Sequence, residues 1–392
     1  MRPGSPSIVD LRPFTWLVPA LLLLLGGTQE ALASSPRYVP LPFGFGANAI
    51  TPDGRTLGGG GRLGEFSVAA RWSEADGVQF LPIPNPADIN SNSGIIGLSD
   101  DGRFASGRIS ADRKFTAYRQ EVGGGYQLLP SLAGYSSTLS CGISADGSIV
   151  GGIAYFDRPM SGTPRQQLVR WTSSGDIQPL GWPSGSEFHD HFVWRMSKDG
   201  KTILAKDLTF SNAYVWREGE GHSYLRAPSE LSLVFDIDAR VVNRDGTRVF
   251  GTVNAGLSLS DYLVSWDRSG VPTLLTTATV PTGFLTTHAT GNGSVVVGST
   301  NTGTSRSPSI VWTPSGGFVP LADYVTSLGV ILPTDLVRES YTLSAISDDG
   351  NALSGFAFDA TGAVHTWYIT VPTASGTLVL GLAAVVSRRR RG

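Results

Sequence analysis

The feature that most constrains this chain is a turn that recurs. An Asp-Gly pair, once Asn-Gly, stands at Asp53, Asp101, Asp146, Asp199, Asp245, Asn292 and Asp349, at spacings of 48, 45, 53, 46, 47 and 57 residues. The neighbours recur with it. Three residues before the Asp there is an apolar residue or Ala (Ile50, Leu98, Ile143, Met196, Val242, Ala289, Ile346), and two before it Ser, Thr or Asn (Thr51, Ser99, Ser144, Ser197, Asn243, Thr290, Ser347). Six after it there is Gly in six copies, with Ala205 replacing it in the fourth. A Trp follows 17 to 25 residues after the Asp in six copies: Trp72, Trp171, Trp216, Trp266, Trp312 and Trp367. Fixed-period self-similarity of this kind means one supersecondary unit packed against copies of itself.

Each copy reads as a four-stranded meander. Asp-Gly turns the first strand into the second, because Gly accepts φ > 0 and Asp bonds to nearby backbone. The second strand is β-branched and apolar, as in Ser294-Val295-Val296-Val297, and the Gly at its end permits close backbone approach or a bulge. The third strand carries the Trp. The fourth often ends in Leu-Pro (Leu81-Pro82, Leu129-Pro130), and Pro suits an edge because it lacks a donor N–H. The seventh copy stops at Trp367-Tyr368-Ile369 without a fourth strand, while Tyr38-Val39-Pro40-Leu41-Pro42 resembles one. Closing a ring with that strand removes an unpaired edge. The expected fold is all-β: a seven-bladed β-propeller over residues 34–370, closed by the N-terminal strand, with residues 38–42 beside 364–369, plus a short C-terminal apolar helix. The 49 glycines and 24 prolines are spread along the chain, as punctuation of many short strands requires.

The run apolar-Ser-x-Asp-Gly-x-x-Val-x-Gly, with a later strand such as Val364-His365-Thr366-Trp367, resembles the HAF-type extracellular repeat of bacterial exported proteins. The resemblance covers nearly all of residues 34–370 and implies fold and location; that family carries no chemistry to transfer.

The ends read as addresses. Arg2 and Arg12 precede an apolar run from Phe14 to Leu25, and Ala31-Leu32-Ala33 is a small-x-small site, so residues 1–33 read as a secretory signal peptide cleaved after Ala33. At the other end, residues 371–392 place Val371-Pro372-Thr373 before an apolar stretch from Gly376 to Val386 and then Arg388, Arg389, Arg390 and Arg391. A basic cluster after an apolar stretch stays cytoplasmic. The order resembles the PEP-CTERM sorting signal processed by exosortases, with Thr373 and Ala374 in place of the family's Glu-Pro. It implies transient membrane insertion and a final place at the cell surface or outside it; a retained C-terminal anchor is the alternative.

Net charge is −2, and −6 once the four tail arginines are set aside. Nucleic-acid binding is not expected, because it needs a basic patch. Cys141 is the single cysteine, so no intrachain disulfide can form, and in its apolar strand it reads as a small buried residue. Each Asp turn offers one carboxylate, whereas a calcium loop converges several oxygens, so the turns read as structural. They lack the Thr-Trp that follows the glycine in the Asp-box of sialidase-like propellers, which they otherwise resemble, and imply no glycosidase activity. The serial Trp residues read as packing between copies, and Trp182 and Trp194, outside the series, as faces for a partner.

Glu187, His189, Asp190 and His191 form the densest group of potential catalytic side chains, just before the fourth copy's first strand. His-x-His in a strand would share one face and could bind a metal with an acidic partner. The long connections 154–166 and 324–342 are further places for a site. No phosphate loop, nucleophile motif or cysteine metal motif is present. No cofactor and no metal are therefore expected. The chain reads as a monomeric surface or matrix protein that binds extracellular protein or polysaccharide without catalysis. The alternatives are a polysaccharide lyase or hydrolase with its site at the channel mouth, and a structural spacer.

Overall fold

In the computed structural model, which describes residues 35–82, 92–111, 114–156, 166–187, 189–257, 260–276, 280–281, 283–300 and 308–371, one set of bonds recurs in the turns, with Asn243 in place of the hydroxyl in the fifth and Asn292 in place of the carboxylate in the sixth. The Ser or Thr hydroxyl donates to the turn carboxylate, at 2.6 Å for Thr51–Asp53, Ser99–Asp101, Ser144–Asp146 and Ser347–Asp349. That carboxylate accepts the N–H two residues on, from Arg103, Ser148, Lys201 and Asn351 at 2.9 Å. The hydroxyl oxygen in turn accepts the N–H of the second strand's first residues, such as Phe104 at 2.8 Å. Every turn Gly has φ near +70°. The turn Asp residues are thus bonded inside their own turns.

An N-terminal strand β1 (Arg37–Pro40) precedes the meanders. The first is β2 (Gly46–Ile50), β3 (Thr56–Leu63), β4 (Phe66–Ser73) and β5 (Gly77–Phe80). The second is β6 (Asn92–Leu98), β7 (Phe104–Ala111), β8 (Lys114–Glu121) and β9 (Tyr126–Leu128). The third is β10 (Ser137–Ile143), β11 (Val150–Tyr155), β12 (Gln166–Trp171) and β13 (Ile177–Gly181). Then come β14 (His191–Met196), β15 (Thr202–Asp207), β16 (Asn212–Arg217) and β17 (Gly221–Tyr224), and β18 (Val234–Val242), β19 (Val249–Ala255), β20 (Ser260–Trp266) and β21 (Pro272–Leu274). The last are β22 (Phe284–Ala289), β23 (Val296–Thr300), β24 (Ser309–Thr313) and β25 (Gly317–Pro320), and, after helix α1 (Leu321–Ser327), β26 (Thr342–Ile346), β27 (Ala352–Phe358) and β28 (Val364–Thr370).

The expectation of seven separate blades is corrected here, while the expected C-terminal helix lies outside the described residues. Hydrogen bonding gives five free-standing four-stranded blades, while the strands of the fourth and fifth repeats run on as one eight-stranded sheet. The cause is local. Ser211 sits at φ 52, its carbonyl accepts the Ile237 N–H at 3.0 Å, and Asn212 pairs in parallel with Ile237, so β16 is stitched to β18. The only α-helix among the described residues is α1, which overlaps the start of the 324–342 connection; it buries Leu321, Ala322 and Val325 against Tyr341 and Trp367. The apolar stretch 376–386, Ala33, Pro372 and Arg388 to Arg391 lie outside the described residues, and Val371 donates its N–H to Asn351 at 2.7 Å.

The first strands meet in cyclic order, β2 with β6, then β10, β14, β18, β22 and β26, and β26 with β2, around an axial channel. β1 pairs antiparallel with β28, Arg37 opposite Thr370 and Pro40 opposite Trp367, so the two ends of the unit Pro36–Val371 share one four-stranded blade. Each first strand carries a register shift beside its partner, as between Ile95 and Gly97 or Leu343 and Ala345. The Gly six residues after the turn Asp faces that bulge. A Cβ on Gly59, Gly107, Gly152 or Gly355 would lie 1.8–2.1 Å from a carbonyl oxygen of the first strand. Between blades the Trp series is buried, and Trp171 and Trp266 donate to the Pro130 and Arg226 carbonyls at 2.8 and 2.7 Å. Full burial of such side chains stabilises by about 1.5–3 kcal/mol each.

Candidate functional site

The connection before β14 lies against the turn between β15 and β16, and one buried carboxylate joins them. Asp207, fully buried, accepts His189 Nδ1–H at 2.7 Å and the Tyr224 hydroxyl at 2.9 Å on Oδ2, and the Thr209 and Phe210 N–H groups at 2.9 and 3.2 Å on Oδ1. Burial would raise its pKa; the bonds from His189, Tyr224 and the backbone outweigh it and hold the carboxyl below its usual range. His189 Nε2 makes no hydrogen bond among the described residues, and Phe210 packs edge-on over the ring at 4.6 Å.

His191 is used differently. Its Nε2–H donates to the Ser186 carbonyl at 2.9 Å, and Nδ1 accepts the Tyr214 hydroxyl at 3.2 Å. Burial lowers its pKa, which keeps it neutral. His189 precedes β14 rather than lying in it, so the shared strand face is not formed; the two rings sit 6.3 Å apart and are tied to different partners. Glu187 accepts the Gly185 N–H at 3.2 Å, and Asp190 contributes a carbonyl to Leu208 N–H at 2.8 Å. Among the described residues no group of His, Cys, Asp and Glu could hold a metal ion. The four expected residues are therefore brought into one connection but do not converge on one atom.

Sequence reasoning missed Asp207, Tyr214 and Tyr224. Asp207 had a signal: eight residues after the turn Asp the other copies carry Gly61, Ile109, Ala154, Val253, Thr300 and Ala357, so a charge there breaks the repeat. Trp194 is half-buried, 4.3 Å beneath Arg240 and 4.5 Å from Phe192, and Trp182 is half-buried too, so neither is the exposed face expected of them. The exposed apolar surface lies beside them. Phe192, Leu208, Phe210, Leu233 and Phe235 are 44–66% exposed on the fourth and fifth repeats. The bond from Leu208 to Asp190, the stitch at Ser211 and the ion pair of Lys206 with Asp236 (2.7 Å) hold their segments together. Next to them a cavity of about 500 Å³ opens at the channel mouth, lined among others by Arg108, Tyr155, Gln166, His191 and Phe192.

No family model and no curated protein matches the chain. Solved structures do. An oligogalacturonate lyase in complex with manganese is similar at a TM-score of 0.56 and 13% identity, covering 86% of this chain and 98% of that one. An oligogalacturonate lyase from Vibrio parahaemolyticus is similar at 0.57 and 11%, over 86% and 92%. The Myceliophteria thermophila Cps50 (Swd1) β-propeller domain is similar at 0.52 and 12%, over 84% and 98%. Together with the cyclic order of the sheets, this defines the class: the chain folds as a β-propeller. At such identities the likeness is one of fold, and one propeller carries many activities.

Proposed function

We propose that this is an exported cell-surface or matrix protein whose propeller binds an extracellular protein, without catalysis, through the mouth formed by its fourth and fifth repeats. The observation that carries this reading is the exposed set Phe192, Leu208, Phe210, Leu233 and Phe235 beside the mouth cavity. Contiguous exposed apolar side chains mark interaction surfaces, and aliphatic Leu beside Phe suits a protein partner better than a sugar. The nearby titratable groups support it as well, since Asp207 and His191 are occupied by internal bonds. Export and surface display follow the signal-like residues 1–33 and the sorting-like residues 371–392.

A second reading, a polysaccharide-active enzyme, is favoured by one observation. His189 is oriented by Asp207 through Nδ1 and leaves Nε2 unbonded, as a general base requires. One experiment separates the two. Binding of the purified protein to cell-envelope preparations is measured for wild type and for Phe210→Ser/Phe235→Ser, with polysaccharides assayed for cleavage in parallel. The expected result is saturable, protease-sensitive binding that the double variant weakens at least tenfold, with no cleavage. Cleavage that disappears in His189→Ala would overturn the binding reading in favour of the enzyme. Binding that survives protease treatment of the envelopes would overturn the protein ligand.

A further inference from the structure

The two ends of the channel differ. At the base stand the residues between the Ser and the Asp of each turn. In four of the seven the N–H donates to the carbonyl of its counterpart in the next repeat: Asp100 to Ala145 (2.8 Å), Ala145 to Lys198 (2.7 Å), Lys198 to Arg244 (2.8 Å) and Gly291 to Asp348 (2.8 Å). Across this ring Arg244 bonds Asp100 and reaches Asp348 at 2.8 Å, while Lys198 bonds the Leu98 carbonyl and lies 4.0 Å from Asp100. Two cations and two carboxylates therefore meet at the base, all of them partly exposed.

One layer in, four residues before each turn Asp, the wall is Ala49, Gly97, Gly142, Val241 and Ala345, with two polar exceptions, Arg195 and His288. Small side chains at four of seven positions leave a cavity of about 130 Å³. On the same measure one water needs about 10–15 Å³. Arg195 extends into this layer. Its guanidinium bonds the Thr287 carbonyl at 3.0 Å and has no carboxylate partner among the described residues. His288 adds no second charge, because burial, reinforced by Arg195, pushes its pKa down to about 3. A cation partly withdrawn from water without a paired carboxylate is costly; Arg195 is half-buried, the Asp348 that lines the same cavity is bonded to Arg244, and the body of the protein is acidic. The mouth cavity and the inner cavity share Ile96 and Cys141 as walls, and Arg108 lines the mouth cavity.

We propose that Arg195 anchors an oxyanion site inside the channel, taking a carboxylate or phosphate group that enters from the mouth. The planar guanidinium matches two oxygens of such a group at once, which chloride cannot reproduce. This stands independently of what covers the apolar face.

The test is calorimetric titration of the purified protein with inorganic phosphate, and separately with acetate, against sodium chloride at equal ionic strength. One saturable site for at least one oxyanion is expected, and the preferred one tells which source fits. Arg195→Gln should weaken it at least tenfold, Arg195→Lys should fall between, and the exposed Arg55→Gln should leave it unchanged. Absence of saturable binding of both oxyanions, or equal affinity in Arg195→Gln, overturns the proposal. Should Arg195→Gln misfold, hydrogen exchange in wild type decides: the oxyanion must slow β14 amides, and unchanged β14 exchange overturns the site.

Discussion

Gly355 illustrates how little freedom the repeat leaves at a single residue. A Cβ there would fall 1.9 Å from the Thr342 carbonyl oxygen and 2.6 Å from the Trp367 ring. We expect Gly355→Ala to lose at least about 1–3 kcal/mol in urea unfolding, the usual penalty of overpacking. Gly64 has φ +65 but open space around its Cβ position, so Gly64→Ala should lose only about 1–2 kcal/mol, the left-handed backbone penalty. The turn carboxylates give a pH prediction. Side-chain bonds from Ser99, Ser144 and Thr247 hold Asp101, Asp146 and Asp245 below the ordinary carboxylate range. A depressed folded pKa stabilises above the unfolded value, about 3.9, and that stability is lost as pH falls through the folded values. The melting temperature should therefore drop below about pH 4, and less steeply in Asp146→Asn; the sixth repeat already uses Asn292 in this turn. At this scale the turns and glycines were legible because the same backbone problem recurs seven times. Asp207 and Arg195 were not, because each answers a local problem in one copy, and only alignment of the copies against one another exposes them.

Among the elements, β1 is the most consequential for its length. Its four residues complete a blade whose other strands lie more than 300 residues later, and Leu41 beyond it donates to the Thr366 carbonyl at 2.9 Å. Deleting residues 36–42 should expose the β28 edge. Amides of 364–370 would then exchange fastest among the third strands, by mass spectrometry, with the fourth and fifth repeats unaffected. This pairing was readable in the sequence because a missing strand at one end matched a surplus one at the other. The merging of the fourth and fifth repeats was not readable. It depends on Ser211 at φ 52, and no residue type there announces a left-handed backbone. The helix α1 was hidden for a related reason. It is a seven-residue filler of a gap beside Tyr341 and Trp367, chosen by packing rather than by a long amphipathic period.

For the molecule as a whole, the base of the channel is where separate repeats are coupled. Arg244 joins turns from the second, fifth and seventh repeats. A double-mutant cycle of Arg244→Met with Asp348→Asn should return a coupling of about 0.5–3 kcal/mol, read by denaturant unfolding, whereas the exposed pair Arg268 and Glu220 should return under about 1 kcal/mol. The ring itself was legible from the period, since a meander that cannot cover its own faces needs neighbours on both sides. The content of the channel was not, because it depends on which side chains face one another across the axis. The joint between the chain ends also has a mechanical meaning. Arg37 lies opposite Thr370 in an antiparallel pair, so both ends of the unit leave from the same end of that ladder. Tension applied between them would peel the hydrogen bonds open one after another, like a zip pulled from its top.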